Sequence, residues 1–355
     1  MNRLNIGINA LFLIPGGVGG TEIYLRSLVD AMAGRESGHR ITVFTNQETG
    51  PLGPDSRVLP VRAVNRVARI AYEQFRLPGV LRESRIDVLL NPGFTAPFSP
   101  PCPQVTVFHD LQHKRHPEYF RWFDLPAWNL MLWTAARRSQ RLIAVSPATR
   151  GDLLRFYPFL TTGRIDVVPH GVDQEFFDIA ARREPGNFLL CPSTTHPHKN
   201  HARLLRCFGR LRERHPELRL VLTGVKGFVH EEVDRLAQPL GDAVEIRGWV
   251  DRVELIELFR TARAVVYPST FEGFGMPVAE ALAARVPLAC SDIEPLRTLA
   301  TGSALLFDPN DEDAMVEAIE HLVERPPPAL AATQSLTWRQ CAAQTVDALM
   351  RAAGA

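Results

Sequence analysis

Two glutamates, Glu272 and Glu280, stand eight residues apart around the loop Gly273-Phe274-Gly275-Met276. Upstream, ARAVVYPS is a short apolar run that reads as a buried strand. Downstream, PVAEALAA is a run of good helix formers. Ser269–Glu280 is therefore predicted as the exit of a strand, a loop and a helix entered at Pro277, where a missing N–H costs nothing. The amides of such a turn, with the positive end of the helix dipole, favour an anion. Glu280 falls about one turn into the helix. Oriented amides beside two carboxylates suit a ligand with both phosphates and hydroxyls, such as a nucleotide sugar.

Other residues invite chemistry less specifically. Lys199, in HPHKNH, follows a predicted strand and precedes a predicted helix. Taken alone it reads as a solvated lysine. His109-Asp110 ends a strand, so these side chains are expected at a sheet edge where ligands bind. His109, His113 and His116 spell a possible metal motif, as do His196, His198 and His201, but neither spacing matches a standard zinc pattern. Asp311-x-Asp313 imitates a metal-binding D-x-D, yet it precedes AMVEAIEHL and reads as acidic residues in a first helical turn. No metal site is expected.

The elements that must position these residues repeat along the chain. At 355 residues, two domains are expected. A composition 45% hydrophobic and 22% charged suffices for two cores, and a net charge of +1 gives no general pull toward nucleic acid. The five cysteines are scattered without a C-x-x-C, which argues against a disulfide or zinc framework. The N-terminal apolar run is short and interrupted, so neither signal peptide nor membrane span is expected, and a cytoplasmic enzyme fits best.

Leu4–Ile14 reads as a strand, followed by the Gly-rich PGGVGG and a helix from Thr21. It is neither a dinucleotide fingerprint nor a P-loop. Its glycines, Gly17 among them, make either a tight turn or a place where a phosphate or sugar approaches the backbone. Strands follow at Arg40–Thr45, Ile86–Leu90, Gln104–Phe108, Leu142–Val145 and Ile165–Val168, with a helical stretch from about 117 to Arg141. Asp173–Asn187 is polar and is taken as a connector. The pattern then restarts, with strands at Phe188–Cys191, Leu218–Thr223, Ala243–Arg247, Ala264–Tyr267, Pro287–Cys290 and Ala304–Phe307. Two such runs predict two doubly wound α/β domains, with the first ending at 173 and the second spanning 174–328. Pro326-Pro327-Pro328 reads as a stiff spacer before a terminal helix within 329–355.

The stretch EGFGMPVAE resembles the E-x7-E signature of retaining, nucleotide-sugar-dependent glycosyltransferases of family 4, which have the GT-B fold. PGGVGGTE, VFHDL, LIAVSPATR, VVPHGVD, HKN and LLFDPNDEDAM extend the resemblance over nearly the whole chain, in order. It implies two Rossmann-like domains facing across a cleft, with the terminal helix returning to the first. It implies that Glu272 lies by the donor sugar and Glu280 by the ribose hydroxyls. The amides of Gly273, Phe274, Gly275 and Met276 would hold sugar hydroxyls and diphosphate. Lys199 would neutralise the leaving diphosphate, and His109 would touch the donor sugar near the reaction centre. Gly17, Thr194, Gly224, Trp249 and Val250 complete the donor-binding set. The family needs no metal or other cofactor.

One departure stands out. Where the family often has an arginine about six residues before the lysine, this chain has Ser193 with Thr194 beside it, so the second cation is either missing or replaced, His198 being one candidate. A mannosyl transfer from GDP-mannose to a glycan or lipid-linked acceptor of bacterial surface polysaccharide is the favoured reading, with a UDP-sugar second. An epimerase or a non-catalytic nucleotide-sugar-binding subunit on the same fold is the alternative. The aromatic and basic residues of Arg121–Arg141 (Trp122, Trp128, Trp133, Arg137, Arg138) and the arginines of Arg62–Arg85 read either as ordinary packing with solvated ends or as a face resting on a membrane.

Overall fold

Short runs of branched apolar residues make the strands, and Val88–Asn91, Gln104–Phe108, Ala264–Tyr267 and Leu288–Ser291 are buried along their whole length, as parallel strands covered on both faces require. The structure is a computed structural model and describes residues 3–17, 19–34, 38–325 and 336–354. In chain order the first strands are β1 (Asn5–Asn9), β2 (Arg40–Thr45), β3 (Ser56–Val58), β4 (Val88–Asn91), β5 (Gln104–Phe108), β6 (Arg141–Ala144) and β7 (Ile165–Val167). They form one parallel sheet in the order β3-β2-β1-β4-β5-β6-β7. A two-residue strand, β8 (Gly171–Val172), follows. Then come β9 (Phe188–Pro192), β10 (Arg219–Thr223), β11 (Val244–Gly248), β12 (Ala264–Tyr267), β13 (Leu288–Ser291) and β14 (Leu305–Phe307). These make a second parallel sheet, ordered β11-β10-β9-β12-β13-β14.

Both sheets wind outward from their first strand, reverse, and continue on its other side. The chain divides into two compact units, Met1–Gly171 with Leu336–Ala355, and Val172–Ser335. In the second unit Leu189, Leu204, Phe208, Leu220, Met315 and Ile319 share one core. In the first, the terminal helix Trp338–Ala353 packs on the helix Gly20–Ala33 and against β4, β5 and β6. It buries Cys341, Ala342, Thr345, Val346 and Leu349. Thr337 and Gln340 start it with a reciprocal capping box.

Several boundaries differ from the sequence reading. β1 ends at Asn9, because Ala10–Ile14 turns back on itself with Leu13 N–H donating to Ala10 O at 3.2 Å. The helical stretch before Arg141 is confined to Leu125–Arg138, with one 3-10 turn at Pro117–Tyr119 ahead of it. The connector contains the helix Gln174–Ile179, since Phe176 and Ile179, three apart, bury one face. The unit boundary falls at 171/172 rather than 173/174, and the chain rejoins the first unit at Leu336. The proline run 326–328 and the valine of PGGVGG lie outside the described residues.

Candidate active site

In a doubly wound sheet the loops after the first and fourth strands diverge, and the gap at that switch point is where ligands bind. In the second unit these loops follow β9 and β12. Lys199 stands on the first and Glu272 on the second. The loops are stitched together. Thr270 N–H donates to His198 O at 2.7 Å, and the Ser269 hydroxyl donates to the same oxygen at 3.0 Å. Asn200 takes the left-handed conformation (φ 59°), and its side-chain amide donates to Pro268 O at 3.1 Å and Pro309 O at 3.0 Å. Asparagine tolerates that conformation better than most residues.

This stitching brings Lys199 Nζ to 2.5 Å from Glu272 Oε1 and 2.9 Å from the Tyr267 hydroxyl. Both charged side chains are largely buried. Burial alone would raise the Glu272 carboxyl, but the Lys199 ammonium, with His198 nearby, outweighs it and holds the group below the usual carboxylate range. The Tyr267 phenol is pushed well up, first by burial and then by the Glu272 charge. Lys199 is a three-donor cation, and among the described residues two of its donors go to Glu272 and Tyr267.

The helix that closes the motif is Met276–Ala283, so Pro277 is its second residue rather than its first. Gly275 is the cap, at φ 96°, and its carbonyl accepts from Val278 and Ala279 N–H. Only glycine fits: a Cβ there would lie 2.4 Å from Leu296 Cδ2. Phe274 is buried beside it.

Glu280, one turn on, is 4% exposed. Arg252 Nη1 donates to its Oε1 at 3.0 Å, and the other end of the same guanidinium pairs with Asp173. Burial raises the Glu280 carboxyl, and Arg252 offsets this only in part.

Beside these loops, the ends of β9, β10 and β11 enclose a cavity of about 200 Å³, lined by Ser193, Thr195, Gly224, Lys226, His230 and Arg247 among others. Gly224 sits at φ 129°, and a Cβ there would meet the Ser193 carbonyl at 2.5 Å. Thr194 lies in sequence between two residues of this lining, Trp249 is 70% exposed after β11, and Val250 follows it. A larger cavity of about 440 Å³ lies on the other face of β10 and β11, beside the helix Arg252–Thr261. Its charged lining is paired internally, as in Arg219–Glu245 and Arg247–Glu254, and it is away from Lys199 and Glu272.

Ser193 carries no charge and bonds His201 Nε2 at 3.1 Å. In the first unit, Gly17 closes a turn, its N–H donating to Ile14 O at 2.8 Å, while Gly16 N–H donates to Glu22 Oε2 at 2.8 Å. His109 is buried, with Nε2 2.9 Å from Pro92 O and Nδ1 3.2 Å from His170 Nε2. The carbonyl can only accept, so Nε2 carries the proton and His170 donates to Nδ1. Burial depresses His109 to about 4, against a small upward pull from Pro92 O, so the ring is neutral at pH 7. Its nitrogens are thus engaged inside the unit, which sequence position alone did not indicate. His116 bonds Glu118 instead, so His109, His113 and His116 do not converge as metal ligands. Among the described residues, the ligand-type side chains that do converge are His215, Glu320 and Glu324, on the surface. Asp311 is a helix cap, accepting from Asp313 and Ala314 N–H.

The sequence reading named Lys199, Glu272 and Glu280; the structure sets beside them Tyr267, Asn200, Arg252 and Asp173, which that reading did not name as site residues. The only local signal was position: Tyr267 ends a strand, and Asp173 ends VVPHGVD.

The two Rossmann-like parallel sheets match solved structures of GT-B architecture. Sucrose-phosphate synthase from Thermosynechococcus elongatus superposes with a TM-score of 0.75 at 19% identity, covering 97% of this chain and 98% of that one. The family model for group 1 glycosyl transferases matches residues 172–335, and that for glycosyltransferase family 4 matches 18–176. The chain thus carries a family 4 glycosyltransferase domain followed by a group 1 glycosyl transferase domain. O-antigen chain mannosyltransferase B of Escherichia coli is 27% identical over 267 residues, 69% of each chain. The MMP alpha-(1->4)-mannosyltransferase of Mycolicibacterium hassiacum is 26% identical over 394 residues, 92% of this chain and 93% of that one.

Proposed function

We propose that this glycosyltransferase moves mannose from GDP-mannose to a hydroxyl of a glycan or lipid-linked acceptor, with retention of configuration, in bacterial surface polysaccharide synthesis. A UDP-hexose is the second donor reading. The observation that carries the site is the Lys199–Glu272 pair at the switch point of the second sheet. The mannosyltransferase names of the relatives support the sugar.

In this reading the donor exchanges partners with the resting pair. Glu272 turns from the ammonium to a sugar hydroxyl, and Lys199 turns to the diphosphate. Gly273, Phe274, Gly275 and Met276 present their amides to sugar and diphosphate, and Glu280 takes the ribose. Thr194, Gly224, Trp249 and Val250 border the nucleotide. The acceptor oxygen bonds to C1 as the C1–O bond to phosphate breaks, on the same face. The leaving phosphate oxygen takes the acceptor's proton. Lys199 lowers this barrier by stabilising charge that grows on the diphosphate. No metal or cofactor takes part.

A thermal-shift panel of GDP-, UDP-, dTDP- and ADP-sugars tests the donor. Selective stabilisation by GDP-mannose is expected, and stabilisation by a UDP-sugar alone would replace mannose with the second reading.

The first unit also carries an apolar, basic face. Phe75 is 83% and Trp122 80% exposed, with Val67 and Phe123 also outside. Arg66 joins the two helices involved, pairing with Asp124 at 3.6 Å and lying over Trp128 at 4.5 Å. Among the described residues no helix is long and apolar enough to cross a membrane. We assign this face to peripheral contact with the anionic inner face of the cell membrane, the enzyme being cytoplasmic. Sedimentation with anionic liposomes tests it, and no binding at low salt would refute it.

A further inference from the structure

We propose that Arg252 is a positioning residue for the donor's ribose, acting through Glu280. The inference rests on the reading of Glu280 as the ribose carboxylate. Arg252 opens the helix Arg252–Thr261, whose start is fixed by Asp251 accepting from Glu254 N–H at 2.8 Å. Its guanidinium is then held on three sides. One amino group is on Glu280 Oε1 at 3.0 Å, another is on Asp173, and the ring of Phe176 lies 4.5 Å from its centre. Phe176 is itself fully buried and packed edge-on against Phe259 at 5.1 Å.

A carboxylate that receives two neighbouring hydroxyls must be both ionised and correctly turned. Glu280 is nearly inaccessible to water, so neither condition is met by solvent. Arg252 supplies both, taking one oxygen and leaving the remaining acceptor capacity for the sugar ring. A planar fork can bridge two carboxylates at once, and a lysine cannot reproduce that geometry. A merely structural strut would stabilise the unit without distinguishing one ribose from another.

The test is calorimetric binding of GDP and 2′-deoxy-GDP, with the UDP pair alongside, to the full chain. Wild type selects the pair to follow and prefers its ribonucleotide. Arg252→Gln is expected to bind that ribonucleotide about 10-fold more weakly and to lose most of the preference over the deoxy form. Arg252→Lys should fall between. Glu280→Gln should match Arg252→Gln, and the double variant should be no worse than either alone. If Glu280→Gln loses the preference while Arg252→Gln and Arg252→Lys keep it, Arg252 is only a strut and the proposal fails. If Glu280→Gln itself keeps both affinity and preference, the ribose reading of Glu280 fails first. Should Arg252→Gln not fold, Arg252→Lys and Asp173→Asn, which loosens the same guanidinium, decide in the same assay.

Discussion

Lys199 and Glu272 neutralise one another at 2.5 Å, with Tyr267 on the same ammonium. Removing either charge leaves the other buried and unpaired, so the loss is felt in both binding and chemistry. Lys199→Ala and Glu272→Ala are each expected to reduce kcat by about 100-fold or more while keeping the wild-type circular dichroism spectrum. Tyr267→Phe removes a single hydrogen bond from the cluster. It should cost about 1 kcal/mol of stability in urea titration and leave measurable turnover. Glu272 and Glu280 were legible because the glycines and the proline between them announce a turn into a helix. Lys199 was legible only by resemblance. Tyr267, Arg252 and Asp173 were not, because what gives them meaning is a partner 68, 28 or 79 residues away.

The elements hold these residues through a few backbone positions and one buried network. Gly275→Ala adds a Cβ 2.4 Å from Leu296 Cδ2 in a left-handed cap, so it should destabilise the second unit and misplace the amides of the motif. In the first unit, Glu73 is fully buried and accepts from Arg69 at 3.2 Å, Thr95 at 2.9 Å and Asn9 at 3.3 Å. This pins the helix Arg66–Phe75 to the ends of β1 and the loop after β4. Glu73→Ala orphans Arg69 and is expected to cost about 3–5 kcal/mol by chemical denaturation. The strand–helix alternation was readable from apolar runs and glycine punctuation. The buried network was not, since Arg69 and Glu73 look like an ordinary surface pair four apart on a helix. The pairing that turned them inward comes from Asn9 and Thr95 on other elements.

For the whole molecule, two sheets with the same winding follow from two restarts of one pattern, and that much was visible in the chain. The return of the terminal helix to the first unit was implied only by resemblance, because its partners are the helix Gly20–Ala33 and strands far upstream. Burial also fixes how the fold responds to acid. His109, His113 and His201 are each depressed by burial to about 4, and His170 falls well below its ordinary value. Between about pH 6.5 and 4 the unfolded chain therefore binds more protons at these groups, and stability falls as pH falls. Glu73 and Glu280, raised by burial, act in the opposite direction but are outnumbered. The melting temperature at pH 5 is expected to lie several degrees below that at pH 7.5.

The central claim is that sugar transfer runs through Lys199 and Glu272 at the switch point of the second sheet. The most direct measurement is transfer of radiolabelled mannose from GDP-mannose to a membrane-extracted glycolipid fraction, comparing wild type with Lys199→Ala and Glu272→Ala. Incorporation by wild type, lost in both folded variants, is the predicted result. Incorporation by either variant at the wild-type rate would contradict it.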